Sequence, residues 1–356
     1  MMSEEIKEFY QVEYIGDKRI VKELSLPINL NLIVTKQCNA NCIHCCASAN
    51  EKEGAFFLGD IKKIVEIAKK NNIFYFVITG GEPFMYNQIW KLFEILNNKF
   101  GILLNTNGTL ISSDIAKRLS SYNIANIHVS LDAPNQKIYH KQRGDTTKLK
   151  EVISGIKNLI DNNINITAKF VITNLNKDYM EDTIKLSISL EVKKMVFAWF
   201  KPSGRGGLNE SELAINSKDV KKTVEDLYNL KKKYKNKIKL SFDNAQCFTF
   251  LIKDYKKLKY RKLCGDYFCR IDFNGDVFPC PFLEIKIGNL FKEDIKKIWK
   301  DSKLLSLRHF SWGKHLRGVC QKCNHNHICM GGCRARTFAI YGNLYSKDPL
   351  CWMKKK

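Results

Sequence analysis

The chain has 356 residues, enough for one large domain or two ordinary ones, and 44% are hydrophobic, so a core can form without disulfide staples. The net charge of +23 invites nucleic-acid binding, but its lysines spread along helical faces (Lys62-Lys63, Lys69-Lys70, Lys256-Lys257), and the densest runs, Lys231–Lys235 and Lys354–Lys356, read as solvated surface. No apolar run reaches membrane-spanning length and Met1–Lys7 is too polar for a signal peptide, so the expected address is cytoplasmic, where thirteen cysteines read as metal ligands or redox groups.

Tyr10–Tyr14 and Arg19–Val21 open the chain as short strands. From residue 29 to 200, β-rich runs then alternate with helical patterns. The strands are Asn29–Val34, Ile73–Thr79, Ile102–Asn105, Asn126–Ser130, Asn165–Val171 and Lys194–Phe200. Helices are expected near 58–71, 88–98, 112–122, 148–161 and 178–190. Such alternation implies βαβ units and a parallel sheet, and six units suit a partial (β/α)6 barrel of the α/β class. Polar and glycine-rich signatures follow the strand ends: Cys38–Cys45, Gly80-Gly81-Glu82-Pro83, Asn105-Thr106-Asn107-Gly108 and Ser130-Leu131-Asp132. Loops after parallel strands share one mouth of the barrel, where sites in this architecture are built.

A helical stretch near 216–237 leads away from the barrel. Beyond residue 240 the texture changes to short strands, aromatic residues and eight cysteines between 264 and 351. The expected division is therefore an N-terminal extension (1–27), a barrel (28–215), a connecting helical region (216–255) and a smaller metal-organised domain (256–356).

Cys38, Cys42 and Cys45 have the spacing C-x3-C-x2-C. Thiolates are the ligands iron–sulfur clusters prefer, and three on one loop leave one iron open to substrate. A structural zinc site completed by Cys46 or His44 is the alternative. Further on, Cys264 and Cys280 precede Cys320-x2-Cys323-x5-Cys329-x3-Cys333 and a lone Cys351. Zinc, with His325 and His327 as nitrogen ligands, is the alternative there too. Ile271–Cys280 reads as a hairpin turning at Asn274-Gly275 and delivering Cys280.

With Gly80-Gly81-Glu82-Pro83, the first three cysteines resemble the core of the radical SAM superfamily over roughly residues 28–200. The resemblance implies a [4Fe–4S] cluster whose open iron binds S-adenosylmethionine (SAM), and reductive cleavage to a 5′-deoxyadenosyl radical. It also implies that Gly80, Gly81 and Glu82 lie against the methionyl amino group, that Ser130 lies near the ribose or carboxylate, and that Arg143 pairs with that carboxylate. Asn107 belongs to the same set, with turn chemistry as its plain alternative. The C-terminal cysteine order is similar to the SPASM extension of these enzymes, which implies two auxiliary [4Fe–4S] clusters. Carried over by position, Cys264, Cys280 and Cys333 hold the first, with Cys269 as candidate fourth ligand. Cys320, Cys323, Cys329 and Cys351 hold the second. Three clusters would remove roughly five units of positive charge.

Cys46 is then a small buried residue. Cys247, at the domain junction, is a candidate hydrogen donor to a product radical, against a plain core role. Arg205, in the loop after the sixth strand, is a candidate for a substrate carboxylate. Enzymes resembling this one mostly modify peptides, and some act on tetrapyrroles. A peptide substrate is favoured, presented by a separate protein because only 37 residues precede Cys38. A small-molecule substrate stays open. Flavodoxin or ferredoxin is the expected electron donor, since its acidic surface would match this basic one. The reading from another class is a non-enzymatic zinc or iron–sulfur protein.

Overall fold

The computed structural model describes residues 12–15, 18–21, 24–51, 53–243, 265–301 and 315–353. A hairpin of β1 (Val12–Ile15) and β2 (Lys18–Val21) opens the chain as a separate two-stranded sheet. Among the described residues the main sheet has ten strands. Its centre is β3 (Asn29–Ile33), β4 (Tyr75–Thr79), β5 (Gly101–Thr106), β6 (Ile124–Ser130), β7 (Ile166–Ile172) and β8 (Lys194–Trp199), all parallel and side by side in chain order. The helices between them are α1 (Leu58–Lys70), α2 (Ile89–Leu96), α3 (Ser113–Leu119), α4 (Gln136–Arg143), α5 (Leu149–Asp161) and α6 (Met180–Ser189). All but α4 were expected; it is short and carries five charged or amide side chains, which mask its period.

The sheet extends beyond the six expected strands. At one side α7 (Ser217–Lys233) returns the chain as β9 (Lys239–Asp243), parallel to β8. At the other, β10 (Phe268–Ile271) lies parallel to β3 and turns antiparallel into β11 (Asp276–Phe278) and β12 (Gly288–Asn289). Eight parallel strands therefore stand together, and no pairing between β9 and β10 closes them among the described residues. The β10–β11 turn is the expected one, with Gly275 at φ 83° and its N–H donating to Asp272 O at 2.8 Å.

Alternation along the strands builds two faces. Leu30, Leu32, Phe76, Ile78, Ile102, Leu104, Ile127, Val129, Ala168, Phe170, Met195 and Phe197 pack in one core with the helices. In α1 the partners are Ile61, Ile64, Val65 and Ala68, spaced for one helical face. The intervening positions therefore face the lumen: Asn31, Asn105, His128, Ser130 and Lys169 are polar there, and Val77, Leu103 and Val196 are apolar. A smaller core gathers Cys280, Leu283, Leu316, Cys320, Met330 and Ala335 in the C-terminal region. That region is tied to the barrel by Trp299 Nε1–H donating to Leu24 O at 2.9 Å, in α8 (Ile295–Trp299), and by Arg336, in α9 (Arg334–Tyr341), donating to Phe200 O at 3.2 Å. Among the described residues no helix is long and apolar enough to cross a membrane.

Candidate functional site

Four strand-end loops converge on the Cys38–Cys45 loop, each with its own hydrogen bonds. The loop first knots itself: Asn50 accepts Cys38 N–H at 2.8 Å and donates to Cys38 O at 2.8 Å, with Asn50 in the left-handed region at φ 69°. After β4, the Gly81 and Glu82 N–H groups donate to Thr35 O at 2.7 Å and Gln37 O at 2.8 Å. A Cβ at Gly80 or Gly81 would drive into the same two carbonyls. The glycines are thus required by the approach to the segment leading into Cys38.

After β5, Asn107 donates to Asn39 at 2.7 Å and accepts Thr109 N–H at 2.9 Å, an Asx-type turn that also reaches the cysteine loop. Glu82 crosses between these two loops. Its carboxylate accepts Asn107 N–H at 2.8 Å, Thr106 Oγ1–H at 2.7 Å and Phe84 N–H at 3.4 Å. Burial pushes it up to about 7 even though those hydrogen bonds pull it down. Its oxygens are therefore engaged by its own chain, which is a brace rather than the open ammonium acceptor expected from sequence.

At the end of α4, Arg143 is buried, not a surface charge. Nε donates to Asp132 Oδ2 at 2.7 Å, Nη2 also contacts that oxygen, and Nη1 donates to Cys42 Sγ at 3.6 Å. Burial opposes its charge, but Asp132 holds the guanidinium protonated. The fork expected to be open for a ligand carboxylate is thus largely spent on Asp132 and a cysteine sulfur. His44 turns Nδ1 toward Gln142 O at 3.1 Å and Nε2 toward Asp132 at 3.9 Å, away from zinc ligation. Burial, then Arg143, lowers its pKa to about 4. Ser130, at the end of β6, is half-buried and its hydroxyl has no hydrogen-bond partner among the described residues.

After β8, Arg205 donates to Cys42 O at 3.2 Å and to Ala49 O, and pairs with Glu51 at 3.2 Å. Gly206 N–H donates to Cys45 O at 3.1 Å, and Gly204 at φ 57° packs on Cys46 O. Arg205 therefore clasps the cysteine loop with each of its nitrogens engaged, rather than standing open for the substrate carboxylate expected from sequence.

The three thiols fit an iron–sulfur cluster by their donor chemistry. Burial, and the neighbouring thiolates, push Cys38 up to about 11, and burial likewise raises Cys42 despite Arg143. Thiolates so disfavoured need bound cations to form, which the irons of a cluster held by these cysteines would supply. Among the described residues no three His, Cys, Asp or Glu side chains could hold a single metal ion.

In the C-terminal region, Cys320, Cys323, Cys329 and Cys351 come within electrostatic reach of one another. Burial, then Cys351, pushes Cys320 up to about 11; burial, then Asp348 and Cys351, pushes Cys329 up to about 12. Cys280 and Cys333 share the smaller core. Cys269, on β10, packs in the large helix-side core. Cys264 and Cys247 lie outside the described residues. Asp348 organises this region: it accepts Cys333 N–H at 2.7 Å and takes the Arg336 guanidinium in two 2.7 Å bonds. Burial would raise its pKa, but Arg336 holds it below the usual carboxylate range.

Sequence reasoning weighed His44 only as a zinc ligand, and missed Asn39, Gln142 and Asp132 as partners of the site. Asp132 lay in the strand-end motif Ser130-Leu131-Asp132, the one signal that pointed to it; the others had none.

Comparison with known proteins places these features in context. Residues 32–187 match the radical SAM superfamily model, and residues 263–324 match the SPASM iron–sulfur cluster-binding domain. The AdoMet-dependent heme synthase of Nitratidesulfovibrio vulgaris is 25% identical, over 91% of each chain. The mycofactocin maturase MftC of Mycolicibacterium smegmatis is 27% identical, over 92% of this chain and 83% of the relative. Streptococcus suis SuiB, solved with its precursor peptide SuiA, superposes with a TM-score of 0.76 at 20% identity, over 93% of this chain and 77% of SuiB. That likeness concerns the fold.

Proposed function

This chain belongs to the radical SAM superfamily and carries its SPASM iron–sulfur extension, and we propose that it modifies a peptide by hydrogen abstraction at the barrel mouth. The convergence of four strand-end loops on Cys38, Cys42 and Cys45 is the observation that carries this reading. With SAM bound, the cluster on those cysteines would supply a 5′-deoxyadenosyl radical.

The chain's own residues orient and enclose. The carbonyls of Gly80 and Gly81 accept no hydrogen bond among the described residues, so they, rather than the Glu82 carboxylate, are the acceptors for the methionyl ammonium. Ser130 offers its hydroxyl to the ribose or carboxylate. Arg143 sets its charge against Cys42 through Asp132, and Asn107 fixes the loop through Asn39. Cys320, Cys323, Cys329 and Cys351 hold one auxiliary cluster, and Cys264, Cys280 and Cys333 hold another, for three [4Fe–4S] clusters in all. Cys269 is the weaker candidate for its fourth ligand, given its place in the barrel core. A cytoplasmic address, a flavodoxin or ferredoxin donor and a separate peptide-presenting protein belong to the same proposal.

Similarity to mycofactocin maturase over most of both chains supports a peptide substrate. The matching similarity to heme synthases supports a tetrapyrrole as the second reading. Anaerobic, reduced enzyme with SAM is expected to form 5′-deoxyadenosine, and to change the mass of a short precursor peptide encoded beside it. A mass change in an iron porphyrin instead selects the second reading. Intact clusters without 5′-deoxyadenosine would sink both.

A further inference from the structure

Arg205 was expected to receive a substrate carboxylate, and each of its nitrogens is already engaged; the same loop holds another cation with no matching carboxylate among the described residues. Lys201 follows β8 at the mouth and is only 5% exposed. Its ammonium lies 4.3 Å from the centre of the Phe282 ring and donates one long bond, 3.4 Å, to Trp199 O. No carboxylate among the described residues comes within ion-pair distance of it. Burying an ammonium costs several kcal/mol unless an anion joins it, and an aromatic face with one carbonyl replaces little of its hydration.

A second observation stands on the same loop. The Ser203 side chain is 7% exposed, and its hydroxyl has no hydrogen-bond partner among the described residues. Buried hydroxyls are nearly always paired, so this one awaits a group that the described residues do not supply. The surroundings carry the same sign. Lys169 projects into the lumen between the helix-facing Ala168 and Phe170, and Lys169, Lys201 and Arg270 all act electrostatically on Cys46 beside the cluster loop. Arg270 is not available in the same way, because Glu284 takes it in two bonds of 2.7 and 3.0 Å. Of the two lysines, Lys201 is the more deeply buried.

We propose that Lys201, with the Ser203 hydroxyl, binds a carboxylate of the substrate and so positions it at the barrel mouth. This deepens the hydrogen-abstraction reading and rests on it. The carboxylate has two sources, an acidic side chain or C-terminus of a peptide, or a propionate of a tetrapyrrole.

The test uses reconstituted, SAM-bound enzyme and two probe pairs, with retention read by mass spectrometry. One pair is a random heptapeptide library with free carboxylates against an amidated library lacking Asp and Glu. The other is coproporphyrin III against its tetramethyl ester. Wild type is expected to retain one acid-bearing probe over its neutral partner. Lys201→Met should weaken that binding at least tenfold, Lys201→Arg should recover most of it, and Ser203→Ala should weaken it severalfold. Iron content and melting temperature of each variant verify that it is folded and loaded. The proposal is overturned if wild type holds acid and neutral probes equally or holds neither, or if Lys201→Met binds as wild type does. It is overturned as well if Lys201→Met shifts a cluster reduction potential while probe binding is kept, since the lysine then serves a cluster. Formation of 5′-deoxyadenosine by wild type without any probe separates failure of this site from failure of the radical chemistry.

Discussion

Glu82 is a carboxylate enclosed by its own chain, and its titration is coupled to folding. Its pKa rises from about 4.5 to about 7 on burial, so its charge is harder to form in the folded protein. The folded state then holds the extra proton between those values, and stability falls as pH rises through that window, levelling above it. A shift of this size is worth on the order of 3 kcal/mol. Glu82→Gln is expected to lose that slope, read as melting temperature against pH for both proteins. At Arg143 the risk is different. Replacing it with Met leaves the buried Asp132 without its guanidinium partner, with a cost of about 3–5 kcal/mol. A lowered urea midpoint is the expected outcome, and an unchanged one would show that Asp132 finds another partner. The family resemblance implied that Arg143 mattered, but not that Asp132 was its partner. Asp132 and Arg143 meet only because the end of β6 and the last turn of α4 fold onto the same cysteine.

Among the elements, the glycines separate space from packing. Gly59, in the first turn of α1, has nothing within 4 Å of a built Cβ, whereas Gly81 would collide with the Gln37 backbone. Gly59→Ala is therefore expected to stabilise by about 0.5–1 kcal/mol, the helical preference for alanine. Gly81→Ala should displace the segment leading into Cys38 and lose iron from that loop, leaving the C-terminal clusters loaded. Iron per chain and melting temperature, measured on both variants, check the contrast; equal behaviour would contradict the close approach. The same reasoning explains which elements were legible. The six central strands and most helices between them have long apolar periods that survive in isolation. β9 and β10 are short, and what makes them strands is the free edge of β8 and β3 on which they pair.

For the whole molecule, the cysteines sort by position in the fold rather than by number. Three loaded [4Fe–4S] clusters would give about twelve irons per chain. Replacing Cys38, Cys42 and Cys45 with Ser should remove about four and abolish 5′-deoxyadenosine, while the remaining iron stays. Loss of all iron would mean that the barrel and the C-terminal region do not load independently. Arg336 makes that question a real one, because it spans Asp348 in the Cys-rich region and Phe200 O at the end of β8.

The sequence by itself determined the parallel sheet, the loop of three cysteines and the second group of cysteines, because hydrophobic period and ligand spacing are local properties. Only the tertiary structure decided what the charged groups do. Glu82, Arg143 and Arg205 are each consumed by partners brought in from other strand ends, and Lys201 is left with an aromatic ring and a carbonyl. Whether a buried charge is matched depends on what stands within a few ångströms of it, and those neighbours come from strands far apart in the chain.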